Sequence, residues 1–305
     1  MSLASANAAG AATELPRARS ARARWREFVG MLGLAPFSVY VVLFLALPTV
    51  LAVTSGFSDG KGHFTWNNFS ALGDPVVLKT FWSSIWLSLL TAAVGAVAGA
   101  AVCYALIGIR STHPMRVLID GAAGVLAQFG GVMLAFVFIA TIGRNSLINQ
   151  ALMSIGINMY SSSLWLYSLP GLILPYIYFQ LPLMVITFMP AMEGLKPQWA
   201  EANATLGGTK TTFWTRIGLP VLAPSFIASY LLLFANSFSA YATAAALASQ
   251  GSQIVPLQIR AALTSETVLG RQNLAGALAA GMIIVMVIVM TGYAAIQRRA
   301  ERWRA

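Results

Sequence analysis

The sequence predicts an all-α polytopic membrane protein with six transmembrane helices, and three observations predict it. Of 305 residues, 58% are hydrophobic and only 9% are charged, with a mean hydropathy of +0.73. The apolar residues gather into six long, nearly uncharged stretches, and the basic residues gather at alternate ends of those stretches. A soluble domain carries roughly a quarter charged residues, so this chain lacks the polar surface to cover a water-soluble globule. The same numbers exclude disorder for most of the length.

The elements follow in order. Residues 1–27 are rich in Ala, Ser and Arg, with Arg17, Arg19, Arg22, Arg24 and Arg26 close together. They read as a basic, disordered arm at a lipid surface. The next apolar run is too long for a signal-peptide core and reads as a retained anchor. A bilayer core of ~30 Å needs about 20 helical residues. Six spans meet that length, at about 29–53, 81–109, 118–142, 164–190, 219–247 and 274–296. The membrane body is thus 28–297, and 298–305 is a basic C-terminus with Arg298, Arg299, Arg302 and Arg304.

Basic residues set the orientation. With the N-terminus inside, the inner segments hold 14 of the 19 Lys and Arg residues, and the outer loops hold the other 5. That asymmetry predicts both termini in the cytoplasm. The net charge of +10 is therefore read as topology marking, and nucleic acid is not expected as a partner. One cysteine, Cys103, allows no intramolecular disulfide and no cysteine-built metal site. His63 and His113 read as loop residues, so neither a metal nor a cofactor is expected on this chain.

The inner loop at about 191–218 carries the most information. Pro197 suits the first turn of a short helix, residues 201–206 are mostly helix formers, and Gly207 suits a left-handed helix end. A second short segment, 209–217, leads to Leu219-Pro220, with the proline marking entry to the fifth span. The expectation is two short helices separated by a glycine turn, presenting a docking surface to a partner.

Glu201-Ala202, Gly207 and Ile217-Gly218-Leu219-Pro220 stand at the spacing E-A-A-x3-G-x9-I-x-L-P. This resembles the signature of permease subunits in binding-protein-dependent ABC importers. Asn203 departs from it, standing where the family has alanine, and weaker local packing is the expected consequence. Phe64 to Phe69 and Gly143 to Gly156 look like the family's first two outer loops, so the likeness covers most of 28–297. The Phe238–Ile259 stretch lacks the Thr-Gly-Gly-Pro segment of sugar-type permeases. It looks more like the branch for spermidine/putrescine, ferric ion and aminophosphonate.

The resemblance implies a type I ABC importer permease fold in the bacterial inner membrane. It implies two ATPase subunits, a second permease subunit (identical or related), an external solute-binding protein, and membrane lipid around the spans. ATP and Mg would sit on the partner ATPase, so this chain is not itself expected to be an enzyme. The coupling residues implied are Glu201, Ala202, Asn203, Gly207, Ile217, Leu219 and Pro220. The solute expected is small and polar or charged, a polyamine first, although no acid stands at mid-membrane depth to meet a polycation.

Polar residues inside the spans are the other candidates. Gln128 and Gln180 lie mid-span, as interhelical hydrogen-bonding groups or as pathway residues. Asn236, Ser237, Ser239, Tyr241 and Thr243 crowd the fifth span, which lines the route in the family. Asp120 is expected to pair with Arg116, four residues before it on the same helix face. A secondary transporter or channel would favour mid-membrane charges or paired broken helices. An intramembrane enzyme would need clustered catalytic groups. Neither pattern stands out.

Overall fold

The computed structural model describes residues 33–59, 63–161, 165–248, 254–264 and 271–302; the basic arm expected at 1–27 lies outside them. The chain divides into two compact units, Met1–Ala52 and Val53–Ala305. Among the described residues, six helices are long and apolar enough to cross a membrane. The only strand-like pairing among the described residues is an isolated antiparallel bridge between Ser58 and Phe64.

Helix α1 spans Gly33–Ser55 and supplies the described part of the first unit. A π-turn interrupts it at Val42–Ala46, closed by Leu47 N–H donating to the Val42 carbonyl. Pro48 follows directly and has no N–H to donate. The wide turn accommodates the proline ring without ending the helix.

In the second unit, α2 spans Pro75–Leu106 and α3 spans Pro114–Gln128. Each is entered the same way. A side chain accepts a backbone N–H, Asp74 from Val76 and His113 from Met115, and proline takes the first helical position. His113, expected as a plain loop residue, is therefore a helix cap. The chain continues through α4 (Gly131–Ile142), α5 (Leu147–Ser154) and α6 (Ile173–Glu193). Next come α7 (Pro197–Thr205) and α8 (Lys210–Ser239). The last three are α9 (Ala242–Leu247), α10 (Val255–Thr264) and α11 (Arg271–Arg302).

Two expected spans differ from the structure. The third, expected unbroken over 118–142, is split between α3 and α4. Gly130 is extended (φ −137°, ψ −163°) and Gly131 has φ +69°, a conformation in which a Cβ would be strained. The fifth, expected over 219–247, starts earlier and breaks sooner. The segment from 210 is continuous with it through a second π-turn at Trp214–Gly218, where Leu219 N–H donates to the Trp214 carbonyl. Pro220 again follows a π-turn, so the Leu-Pro step widens the helix where it was expected to begin it. At the other end Ala240 is extended (ψ 109°), and α9 resumes after Tyr241.

Helix α2 is the centre of the second unit. It meets α6 through small residues. A Cβ on Gly95 would come within 2.8 Å of the Gln180 Cβ, and one on Gly99 within 2.5 Å of the Met184 Cβ. Backbones approach this closely only where side chains are absent, the usual device of membrane helix packing. Apolar side chains fill two clusters. One holds Met184, Phe188, Leu233 and Phe234, and the other holds Leu87, Leu134, Leu172 and Tyr176. Near the start of α11, a Cβ on Gly56 would meet the Ala277 nitrogen at 2.8 Å. Asn68 braces that crossing by donating to the carbonyls of Gly56 (2.9 Å) and Ser58 (2.8 Å).

Candidate functional site

The loop between α6 and α8 forms a helix and a glycine turn, as its composition predicts. Lys196 is extended and Pro197 opens α7. After Thr205 the turn closes with two backbone bonds, Gly207 N–H to the Ala204 carbonyl (3.0 Å) and Gly208 N–H to the Asn203 carbonyl (2.8 Å). Gly207 has φ +77°. This is the Schellman arrangement, which satisfies carbonyls left over at a helix end.

Asn203 does more than the weaker packing expected of it. Its Nδ2 donates to the Thr209 carbonyl at 3.1 Å, across the turn and onto the residue that caps α8. Thr209 in turn accepts from Thr212 N–H at 3.2 Å. Gly208 lies against the Asn203 amide, which occupies the place a Cβ would take. Asn203 and Gly208 are thus a matched pair: the amide ties the two helices together and the glycine gives it room.

Helix α7 has no buried residue, and Glu201 and Ala202 are exposed. Leu206, at its C-terminal end, is 88% exposed. A groove of about 300 Å3 runs between α7 and the start of α8, lined by Trp199, Ala202, Asn203, Leu206, Ile217 and Val221. Ile217 is half-buried, whereas Leu219 and Pro220 are exposed. The coupling candidates are therefore mostly exposed, and the last of them lie on a helix that continues to Ser239.

The membrane-embedded polar candidates fall into two groups. Gln180, Ser237 and Thr243 are buried. Gln180 Nε2 donates to Thr91 Oγ1 (2.8 Å), and Thr91 Oγ1 lies 3.1 Å from Ser237 Oγ, so one threonine joins α2, α6 and α8. Thr243 Oγ1 donates to the Gly131 carbonyl at 3.1 Å, joining the two places where spans are interrupted. Tyr176 OH donates to the Ala240 carbonyl (2.9 Å) at the same break. Gln128, Asn236, Ser239 and Tyr241 are exposed.

Three features escape the sequence reading. Ser225 and Ser229 share a face of α8 with Asn236 and line a cavity of about 290 Å3 with Thr187, Tyr293 and Gln297. The 225/229/236 spacing is visible in the sequence, but the partners on α6 and α11 are not. The Arg260 guanidinium lies 6.0 Å from the Tyr241 ring centroid. The two stand nineteen positions apart in the sequence. The expected Arg116–Asp120 pair is present at 2.8 Å, and a second carboxylate, Glu193, joins it at 2.6 Å. Glu193 stands 77 residues away, so no local pattern points to it.

Comparison with known proteins fits this geometry. No protein-family model matches the chain. It is 21% identical over 229 residues to the spermidine/putrescine transport system permease protein PotC of Haemophilus influenzae, covering 73% of this chain and 81% of the relative. It is 23% identical over 206 residues to the sulfate transport system permease protein CysW of Synechocystis, covering 68% and 70%. Among solved structures it is similar to a bacterial ABC transporter that imports the acidic polysaccharide alginate. The TM-score is 0.70 at 16% identity, covering 92% of this chain and 98% of that one. The same transporter bound to an alginate-loaded periplasmic protein gives a TM-score of 0.69. The fold is that of ABC importer transmembrane subunits.

Proposed function

We infer that this chain is the permease subunit of an ABC importer, a multi-pass inner-membrane protein that works with ATPase subunits and a periplasmic solute-binding protein. The observation that carries this reading is the exposed α7 and its glycine turn, standing at the signature spacing in a chain with six candidate membrane spans. We propose further that α7 seats on a separate ATPase, with Glu201 pairing to a basic group there and Leu206 filling an apolar recess. Two ATPases and a second permease, identical or related, complete the assembly. ATP and Mg belong to the ATPase, and hydrolysis takes place there. Both termini face the ATPase side.

A helix with a fixed end transmits force, whereas a loose loop absorbs it. Asn203, Gly207 and Thr209 fix this one to α8, so a push on α7 reaches the spans through two-state repacking of the bundle. The solute is small and polar or charged. A polyamine is the candidate from sequence likeness. One observation favours a second reading, an anionic solute: the charge next to exposed Tyr241 is Arg260, a cation. Both Asp120 and Glu193 are committed to Arg116.

The test is uptake by the complete complex in vesicles. Glu201→Ala and Gly207→Pro should abolish ATP-driven uptake while the chain still inserts. Uptake at the wild-type rate in both variants would end the coupling assignment. Competition by spermidine or by sulfate separates the two solute readings.

A further inference from the structure

The Arg116 side chain is only 5% exposed, yet it contacts two carboxylates and a backbone carbonyl. Its Nε donates to Asp120 Oδ2 (2.8 Å), one NH2 group to Glu193 Oε1 (2.6 Å) and the other to the Leu106 carbonyl (3.3 Å). Leu106 is the last residue of α2, and Glu193 is the last residue of α6. A helix C-terminus carries partial negative charge and unpaired carbonyls. The guanidinium is therefore shared by two helix ends and a carboxylate from the first half of α3. Both carboxylates are about half-exposed, 44% for Asp120 and 52% for Glu193, and the cation between them is enclosed.

Burying a guanidinium is costly unless it is fully paired. Apolar packing alone would hold α2, α3 and α6 together here, but it fixes no register, because apolar contacts slide. Short charge-assisted bonds from a planar fork fix both distance and direction. The position matters because only Gly194, Leu195 and Lys196 separate Glu193 from the first residue of α7. At the other end of α7, the Asn203–Thr209 bond joins it to α8. The loop helix thus has two anchored roots. One leads into α8, and the other leads through Arg116 into α2 and α3.

We propose that Arg116 is a positioning residue for energy coupling: by clamping Glu193 to the ends of α2 and α3, it makes those helices move with α6 when α7 is pushed. The proposal rests on the permease reading above and adds the route by which half of the bundle receives the force. Without the clamp, α6 would move while α2 and α3 lag, and ATP would be spent without transport.

The experiment uses the whole complex, the chain with its ATPase and solute-binding protein, reconstituted in vesicles. It reads solute taken up per ATP hydrolysed, together with the amount and melting temperature of the assembled complex. Arg116→Met and Glu193→Gln should each assemble in wild-type amount and keep basal ATP hydrolysis. Each should lose at least about fivefold in solute moved per ATP. Arg116→Lys, which reaches one acid at a time, should fall between. Glu193→Gln changes one charge at a half-exposed site and keeps the test available if Arg116→Met does not fold.

An unchanged ratio in Glu193→Gln would overturn the proposal. So would a loss of uptake that only tracks loss of assembled complex and is recovered in the stable double variant Arg116→Met/Glu193→Met, since that is a purely structural role. A failure of the underlying reading looks different: the wild-type complex itself would show no ATP-dependent uptake.

Discussion

The Asn203–Gly208 pair allows a prediction with a sign that reverses. In Gly208→Ala the new Cβ would stand where the Asn203 amide is, with its Cγ at 2.6 Å and Nδ2 at 2.8 Å. Gly208 itself is not at positive φ, so the strain is steric contact with one side chain and not a backbone penalty. Asn203 is half-buried and free to swing outward. It would then give up its 3.1 Å bond to the Thr209 carbonyl. A hydrogen bond of this kind contributes about 1 kcal/mol net. The ordered α7–α8 junction should be destabilised by about that much, roughly a fivefold shift in its population. In Asn203→Ala the bond is lost but the space opens. The double variant Asn203→Ala/Gly208→Ala should therefore be no worse than Asn203→Ala alone. The assay is the affinity of the detergent-solubilised chain for its ATPase, measured for the three variants as a double-mutant cycle. Additive losses would refute the steric argument, because they would mean that the alanine at 208 does harm unrelated to Asn203.

Other consequences are simpler to test. Gly207→Ala places a Cβ at φ +77°, which costs about 1 kcal/mol or more, and amide exchange at 207 and 208 should speed accordingly. Gly99→Ala overpacks the α2–α6 contact at 2.5 Å and should cost about 1–3 kcal/mol, read as a lower melting temperature in detergent. In the buried polar trio, Thr91→Val strands both the Gln180 amide and the Ser237 hydroxyl, so it should destabilise by about 1–3 kcal/mol. Gln180→Leu removes the amide whole, including an oxygen that has no hydrogen-bond partner among the described residues, and should cost less; the reverse order in thermal unfolding would contradict the network. Reporters fused after Gly208 and after Gly251 should lie on opposite sides of the membrane, with the one at 208 inside.

Much of the architecture is legible in residue order because membrane spans are a composition signal. An apolar run of about 20 residues reports a helix whatever surrounds it. The α7 loop is also legible, since Pro197 and Gly207 act on the backbone within a turn of where they stand. Interruptions inside spans are less so. Gly130-Gly131 breaks a helix here, whereas Gly95 and Gly99 sit inside an unbroken one, because their missing side chains meet α6. The difference lies in what each glycine faces, and that is set by another helix.

The sequence by itself therefore determined the number of spans, the helix and turn between the fourth and fifth, and the Arg116–Asp120 pair, all of which rest on composition or on contacts within four residues. Only the tertiary structure decided which of Gln180, Ser237 and Asn236 turn inward, that Leu-Pro widens a helix it was expected to start, and that Glu193 and the end of α2 share the guanidinium of Arg116. Those outcomes depend on which helix faces which, and a linear pattern with a period of about 3.6 residues records a face without naming its neighbour.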